Sequence, residues 1–515
     1  MKIRVGVERF DPSKDHEPHI EWYELEVDER STLLDVLLAI ERRDPTIAVP
    51  YSCRRGVCGS CTVLVNEVAV PACSTTMGKI IDCLGSVLVI KPLRVLPRVR
   101  DLVVDRSRVL DVLNRYRYWL HRVEPYIPPE RMSMELAHKI QEYRKCSLCL
   151  ACLGTCPLTL LDKSFGSAVA FRMIYERLID NRDGFDRVGM ALNEGLYKCL
   201  VCDACSAVCP HEIELGEAVI KLREECWRRG LAPLKVRDAV ESVLDPEYGN
   251  PLWLPREERG AWLEGFKPSE RAKVLIFAGC MASYVDRDSV KALAAIMEHL
   301  GIEYVALADK EYCCGMPLYL AGAIEEAKDV ARKNIELFRE LGIETIVTPC
   351  PSCYRMIKTI YPKLGVEIGG IKVVHVVELL YNLIKEGKVN VETLERMDVV
   401  ATYHDPCDLG RHEGIYEEPR YVIKHLVQEF VEMKRRKDYA QCCGAGGNLR
   451  ICNPELSIEV AKKRLELDLP RNANLLLHAC PTCKIQLMEA SEKLGLSIRH
   501  MSIQELFAKC MGISY

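Results

Sequence analysis

The sequence predicts a multidomain α+β chain, on three observations. Residues 1–97 carry alternating runs at 3–10 and 20–27, a helical pattern at 31–43 and a cysteine-rich loop, the mixture expected of an α+β unit. Residues 98–244 read as helical and hold two short, closely similar cysteine runs. From 272 the texture is α/β, where KVLIFAGC, ETIVTPC, DVVATYHDPC and NLLLHAC are strand-like runs that each end at a cysteine. At 515 residues the chain is long for one core, and about two to four domains are expected.

The first segment justifies its reading piece by piece. Ser31 is the expected N-cap of the helical pattern, with Asp35 in the first turn. In TVLVNEVAV, Asn66-Glu67 marks a hairpin turn between two strands. Between helix and hairpin, YSCRRGVCGSC supplies Cys53-x4-Cys58-x2-Cys61, with Cys73 beyond, which matches the plant-type spacing of a [2Fe–2S] cluster. Its glycines let backbone approach a cluster closely, so that amides can donate to the sulfurs. The segment resembles plant-type ferredoxins in this spacing, which implies a β-grasp domain over 1–97.

The helical segment holds Cys146-x2-Cys149-x2-Cys152-x3-Cys156-Pro157 and Cys199-x2-Cys202-x2-Cys205-x3-Cys209-Pro210. Both are the bacterial two-cluster ferredoxin run, in which the fourth cysteine ligates the other cluster. One [4Fe–4S] cubane is therefore expected on Cys146, Cys149, Cys152 and Cys209, and a second on Cys156, Cys199, Cys202 and Cys205. Residues 245–271, rich in proline and glycine and containing Trp253 and Trp262, read as a linker.

The remainder is an internal repeat, divided as 272–395 and 396–515. In the first copy, 32 residues separate Cys280 from Cys313-Cys314-Gly315, and 35 separate Cys314 from Cys350-Pro351-Ser352-Cys353. In the second, 34 separate Cys407 from Cys442-Cys443-Gly444, and 36 separate Cys443 from Cys480-Pro481-Thr482-Cys483. Zinc or a cubane needs only four ligands, so a fifth cysteine and a doubled Cys-Cys argue for a different centre.

Composition sets the boundaries. The 26 cysteines fall in tight clusters in a chain too long to need disulfide staples, which points to metal ligation in a reducing compartment. A net charge of −4 argues against a nucleic-acid partner. The opening MKIRVGVERF lacks an apolar core like that of a signal peptide, and no run of about 18 apolar residues occurs. A cytoplasmic protein is expected, at most peripheral to the inner face of the membrane through a partner. GAGGN at 444–448 lacks dinucleotide-loop spacing and no P-loop is present, so flavin chemistry is expected on a partner chain.

The first 240 or so residues resemble the iron–sulfur subunit of the succinate dehydrogenase/fumarate reductase family. They depart from it at Cys202, where members with a [3Fe–4S] cluster often lack a cysteine. The five-cysteine repeat resembles the CCG domains of the heterodisulfide reductase family. That resemblance implies two pseudo-symmetric α/β CCG domains, each holding a noncubane [4Fe–4S] cluster. Cys280, Cys313, Cys314, Cys350 and Cys353 would hold one, and Cys407, Cys442, Cys443, Cys480 and Cys483 the other, at a thiol-chemistry site. The order of the two halves is similar to that in the thiol:fumarate reductases of methanogenic archaea. The resemblance implies oxidation of coenzyme M and coenzyme B, with electrons passing to an FAD-containing flavoprotein subunit that reduces fumarate. The alternative is an atypical archaeal succinate dehydrogenase, with a quinone or membrane anchor replacing the thiols.

Four features stand outside these motifs. His404, beside Asp405 and just before Cys407, is a candidate to orient a ligand or handle a proton, against a core or capping role. The arginine-rich stretch 94–122 is a solvated helix face or a docking surface. Cys83, Cys226, Cys452 and Cys510 are isolated and are expected to be small buried hydrophobes. Glutamine is scarce, a mild thermophilic signal.

Overall fold

The structure, a computed structural model, describes residues 1–122 and 130–515. Contacts divide the chain into two compact units of mixed α and β structure: Met1–Glu225 with Lys434–Gln441, and Cys226–Met433 with Cys442–Tyr515. The helical segment expected to end at 244 therefore divides after Glu225. The helix Leu234–Leu244 buries Val236, Ala239, Val240 and Val243 within the second unit. The stretch expected to be a linker folds there too, as a 3-10 helix, Arg256–Leu263, that buries Arg259 and Trp262.

In the first unit, β1 (Lys2–Arg9) pairs antiparallel with β2 (His19–Glu26) and parallel with β5 (Val87–Pro92). β3 (Thr62–Val65) joins β5 and turns into β4 (Val68–Pro71), giving the order β2-β1-β5-β3-β4. The turn is Asn66-Glu67, both left-handed at φ 45° and 70°, which matches the twist of a two-residue hairpin. The helix Leu33–Arg43 is capped by Thr32 and not by Ser31, one residue later than expected. Thr32 Oγ1 accepts from the Asp35 amide at 3.2 Å while the Asp35 carboxylate accepts from the Thr32 amide at 2.9 Å. This reciprocal pair satisfies two donors that Ser31 could not reach together.

The arginine-rich stretch is not one helix face. It crosses the hairpin of β6 (Arg98–Arg100) and β7 (Val103–Val104) before the short helix Val109–Arg115. Its side chains form ion pairs: Arg98, partly buried, with Glu8, and the exposed Arg94 and Arg115 with Glu67 and Glu194. The short helix Ala151–Thr155 lies on the sheet so closely that a Cβ on Gly154 would come within 2.7 Å of Ala69 and Leu93. One cysteine run is thereby fixed to the ferredoxin-type sheet.

The second unit contains two four-stranded parallel sheets. One holds β8 (Val274–Ile276), β9 (Val305–Ala306), β10 (Thr345–Thr348) and β11 (Lys372–His375), in the order β11-β10-β8-β9. The other holds β12 (Met397–His404), β13 (Val427–Phe430), β14 (Leu475–His478) and β15 (Arg499–Ser502), in the order β13-β12-β14-β15. Counted within each repeat, both sheets run second-first-third-fourth. Strand order reverses beside the first strand, and at the carboxyl ends of such strands a parallel sheet opens a crevice. Cys280 and Cys350 follow β8 and β10, and Cys407 and Cys480 follow β12 and β14.

His375 joins the repeats. Its Nδ1 accepts from the Val377 amide at the start of the helix Val376–Lys385, and its Nε2 donates to the Pro349 carbonyl at 3.3 Å and faces the Ala479 carbonyl. Those carbonyls precede Cys350 and Cys480. Burial, opposed by the two carbonyls, pushes the His375 pKa down to about 3. Because the folded value lies below the unfolded one near 6.5, its contribution to stability is full above pH ~6.5 and fades as pH falls towards 3. At pH 5 the loss amounts to about 2 kcal/mol. The thermal midpoint of the second unit should therefore fall more between pH 7 and pH 5 in the wild type than in His375→Gln. Equal pH slopes for the two proteins would contradict the assignment of a neutral clamp.

Candidate metal centres

The cysteines after the first helix sit in a loop whose amides point at sulfur. Gly56 N–H donates to Cys73 Sγ at 3.1 Å, Cys58 N–H to Cys53 Sγ at 3.3 Å, Arg55 N–H to Cys53 Sγ at 3.4 Å and Cys73 N–H to Cys61 Sγ at 3.5 Å. Burial would raise the Cys58 thiol, but bonds from the Ser60 side chain and the Cys53 backbone bring it down to about 6. Burial pushes Cys61, deeper in the site, up to about 12. The four sulfurs of Cys53, Cys58, Cys61 and Cys73 are thus drawn together by one loop.

The two runs of the helical region line two separate cavities, and each cavity takes its fourth cysteine from the other run. One is lined by Cys146, Cys149, Cys152 and Cys209, together with Arg172 and His211. The other is lined by Cys156, Cys199, Cys202 and Cys205. In both runs the residues flanking the second cysteine are left-handed without being glycine: Leu148 and Leu150 at φ 52° and 62°, Val201 and Asp203 at 49° and 54°. Each such residue costs about 1–2 kcal/mol, so the wrap needs something at its centre to hold it. His211 Nε2 is buried against the first cavity with no hydrogen-bond partner among the described residues. All-sulfur donor sets, strained backbone and an unpaired buried nitrogen fit iron–sulfur clusters.

Buried arginines offset the negative charge of such sites. Arg172, 2% exposed, lines the first cavity and pairs with Glu176 at 2.7 Å. Arg223, fully buried, donates to the carbonyls of Leu196 and Cys199. Arg106 donates to the Gly59 carbonyl at 2.8 Å and the Leu148 carbonyl at 2.7 Å, which ties the first loop to the first run. A Cβ on Gly59 would reach within 2.6 Å of Cys149 Cα, so only glycine permits that approach.

In the second unit the thiols of Cys280, Cys313, Cys314, Cys353 and Cys350 lie close enough, in that order, for each to shift the titration of the next. Bonds from Cys313 and Cys353 bring the Cys314 thiol down to about 6 against the effect of burial. The second repeat joins Cys442, Cys443, Cys483 and Cys480 in the same manner, with 3.3 Å between the Cys443 and Cys483 sulfurs. Cys443, at the position of Cys314, is held well below the usual thiol range by Cys442 and Cys483. Cys407 lies half-buried in the loop that follows β12. Gly279 is left-handed, and a Cβ there would come within 2.7 Å of Cys353 Sγ.

The surroundings of the two sets differ. Beside the first, fully buried Arg259 donates to Glu311 at 2.7 Å and to Cys280 Sγ at 3.7 Å. Glu311 in turn accepts from the Ala278 and Gly279 amides. Beside the second, one His404 nitrogen and the Cys443 and Cys483 sulfurs lie within 4.8 Å of one another. Burial lowers the His404 pKa against the pull of Cys443. Asp405 does not share that role, since it pairs with Arg420 at 2.7 Å. Asp408, next to Cys407, accepts from Ser352 Oγ at 2.5 Å and Arg355 at 2.8 Å, which links the loop of one set to the helix of the other. Lys484, after Cys483, binds Asp286 at 2.7 Å and Glu505 at 2.6 Å, a second tie between repeats.

Sequence reasoning missed Arg259, Glu311, Asp408 and His375. Only the adjacency of Asp408 to Cys407 and of Glu311 to Cys313-Cys314 hinted at two of them. Cys83, Cys226 and Cys510 are buried as expected, whereas Cys452, at the end of a short helix, is only half-buried; Cys510 Sγ donates to the Leu426 carbonyl at 3.4 Å. Among the described residues no helix is long and apolar enough to cross a membrane.

Comparison with known proteins gives these sites a family. Residues 4–111 match the 2Fe-2S iron-sulfur cluster binding domain, 142–213 the 4Fe-4S dicluster domain, and 274–358 and 401–488 the cysteine-rich CCG domain. One subunit of the fumarate reductase (CoM/CoB) of Methanothermobacter marburgensis is 31% identical over 509 residues, 98% of each chain. One subunit of the dihydromethanophenazine:CoB–CoM heterodisulfide reductase of Methanosarcina acetivorans is 34% identical over 326 residues, 62% of this chain and 79% of that one. A crystal structure of a hypothetical protein from Helicobacter pylori shares the fold, with TM-score 0.57 at 14% identity over 100% of this chain and 95% of that one. The chain is an iron–sulfur oxidoreductase subunit and belongs to the same family as its fumarate reductase (CoM/CoB) relative.

Proposed function

We propose that this chain oxidises coenzyme M and coenzyme B thiols to their mixed disulfide and delivers the electrons to a flavoprotein subunit that reduces fumarate to succinate. Two S–H bonds break and one S–S bond forms, releasing two protons and two electrons; fumarate takes up two of each. The observation that carries this reading is that both five-cysteine sets are complete and lie in one compact unit, bridged by Asp408. Two matched sets suit a two-electron reaction that must be divided into single electrons.

In this reading Cys53, Cys58, Cys61 and Cys73 hold a [2Fe–2S] cluster in a β-grasp domain. Cys146, Cys149, Cys152 and Cys209 hold one [4Fe–4S] cubane, and Cys156, Cys199, Cys202 and Cys205 the other. Cys280, Cys313, Cys314, Cys350 and Cys353 hold one noncubane cluster, and Cys407, Cys442, Cys443, Cys480 and Cys483 its pseudo-symmetric counterpart. The shared strand order of the two parallel sheets supports that pairing. When bound, the clusters supply one-electron acceptors in sequence. Around them the chain's own groups set position and charge. Arg259 neutralises Cys280 and is itself held by Glu311; His404 orients Cys443; Asp408 fixes the spacing between Ser352 and the Cys407 loop. The FAD resides on the partner chain, and so many clustered cysteines suit a reducing compartment, the cytoplasm.

Three assays test this reading. The chain co-purified with its flavoprotein should oxidise coenzyme M plus coenzyme B with fumarate under anaerobic conditions, and turnover only with a reduced quinone analogue would refute the proposal. Cys314→Ala should abolish thiol-dependent fumarate reduction while sparing reduction from a one-electron donor that enters at the cubanes. Undiminished thiol turnover would remove the reaction from the five-cysteine sets. Cys53→Ser should block delivery from either donor, and surviving fumarate reduction would put the [2Fe–2S] site off the path.

A further inference from the structure

The two five-cysteine sets share their cysteine spacing and strand order, yet the charges placed against them differ. Arg259 lies in the 3-10 helix Arg256–Leu263, which precedes the repeat and so is not duplicated in it. Its guanidinium, 1% exposed, donates from Nε and Nη2 to Glu311 Oε1 at 3.2 and 2.7 Å and from Nη1 to the Gly249 carbonyl at 3.4 Å. Nη2 also reaches Cys280 Sγ at 3.7 Å. Glu311 accepts in turn from the Ala278 and Gly279 amides, each at 2.9 Å, which spreads its negative charge. At Cys280 the attraction of the guanidinium outweighs the repulsion of that carboxylate.

Near the second set the buried arginine is Arg420, and its donors go elsewhere. Nη1 and Nη2 bind the two Asp405 oxygens at 2.7 and 2.8 Å. Nε and Nη2 bind Glu432 at 2.7 and 3.0 Å, and Nη1 binds the Tyr416 carbonyl at 2.8 Å. Those bonds take up every guanidinium hydrogen, and two carboxylates flank one cation. Lys484 is likewise shared by Asp286 and Glu505, and Arg464 pairs with Asp468. The side chain that approaches sulfur is His404, through the nitrogen grouped with Cys443 and Cys483. Its Nδ1 accepts from Arg464 Nε at 3.4 Å, so the ring is neutral with its proton on Nε2. The tie between repeats has the same polarity: its cation, Arg355, follows Cys353 by two residues, and its anion, Asp408, adjoins Cys407. Sequence repeats the contrast, since Ala440 stands at the place of Glu311, and Pro406, without an amide N–H, at the place of Gly279.

We propose that Arg259 holds the first five-cysteine set at a higher reduction potential than the second, so that it accepts the first electron from each pair of thiols and the second set accepts the other. A cation and an N–H aimed at sulfur favour the reduced, more negative state of a site, and burial leaves that attraction unscreened. The two thiols lose two protons and two electrons and form one S–S bond, while each set gains one electron. The ordering rests on the proposed cluster assignments and not on the identity of the thiols.

The test is a redox titration of anaerobic holoprotein with chemical mediators, followed by EPR and Mössbauer spectroscopy, with neither thiol nor fumarate present. Signals are assigned to the two sets by their loss in Cys314→Ala and in Cys443→Ala. The first set should titrate at the higher potential. Arg259→Met should lower that potential by at least about 59 mV, a tenfold change in a one-electron equilibrium, and leave the second set unmoved. Arg259→Lys, which keeps the charge, should fall between Arg259→Met and the wild type. Glu311→Gln removes the opposing carboxylate and should raise the same potential, a change of opposite sign that simple loosening of the site would not give. Should Arg259→Met lose iron, the sign of the Glu311→Gln shift decides. A second set that titrates above the first, or variants that move both sets equally or neither, would overturn the proposal. Zinc in place of iron at the five-cysteine sets would overturn the cluster assignments and this ordering with them.

Discussion

Everything in this chain depends on the cost of burying sulfur. Of 26 cysteines, all but Cys83, Cys226, Cys452 and Cys510 lie in the five sets, most of them half-buried or fully buried. Thiols packed together in a low-dielectric interior repel one another as soon as more than one ionises, and burial, helped by the neighbouring cysteines, raises thiols such as Cys152 and Cys205 far above their ordinary range. A cation shared among them reverses that balance, because metal binding pays for deprotonation and folding together. The left-handed residues around Cys149 and Cys202, the glycines at 59 and 279 and the buried arginines 172, 223 and 259 are consequences of the same demand.

The two halves meet that demand with different architecture. The first unit wraps short loops and helical turns around its sulfurs and relies on close approach: Gly59 against Cys149, Gly154 against Ala69 and Leu93. The second places its cysteines beyond the carboxyl ends of parallel strands, where loops from adjacent strands converge. Duplication gives two such crevices, and the ties that join them (His375, Asp408 and Lys484) each bind within a few residues of a cysteine. Rigid coupling of the cysteine sets is what a reaction divided between two one-electron sites requires.

Much of this was legible from spacing, because covalent geometry makes ligand spacing local. The loop from Cys53 to Cys61, the crosswise sharing of Cys156 and Cys209, and the strand-then-cysteine rhythm of the second half all follow from residues close in sequence. The Asn66-Glu67 turn was legible for the same reason, and the cap at Thr32 missed by a single residue. What was not legible is long-range. Residues 245–271 read as a linker because proline and glycine dominate them, yet Arg259 is held by Glu311, 52 positions later in the chain. The ion pairs of Arg98 and Arg115 were not legible because their carboxylates, Glu8 and Glu194, lie 90 and 79 residues away. Nothing in the sequence of Lys434–Gln441 marks it as a segment of the first unit, since its partners Cys83 and Thr155 are fixed only by the fold.

The central claim is that every one of the five sets is an iron–sulfur site. Anaerobic metal analysis with Mössbauer spectroscopy of the purified chain tests it most directly. Two plant-type irons, two cubanes and two four-iron centres at the five-cysteine sets predict about 18 iron atoms per chain and no zinc. A chain carrying about 10 irons with zinc at the five-cysteine sets would contradict the account of the second unit, and with it the assignment of thiol oxidation to that half.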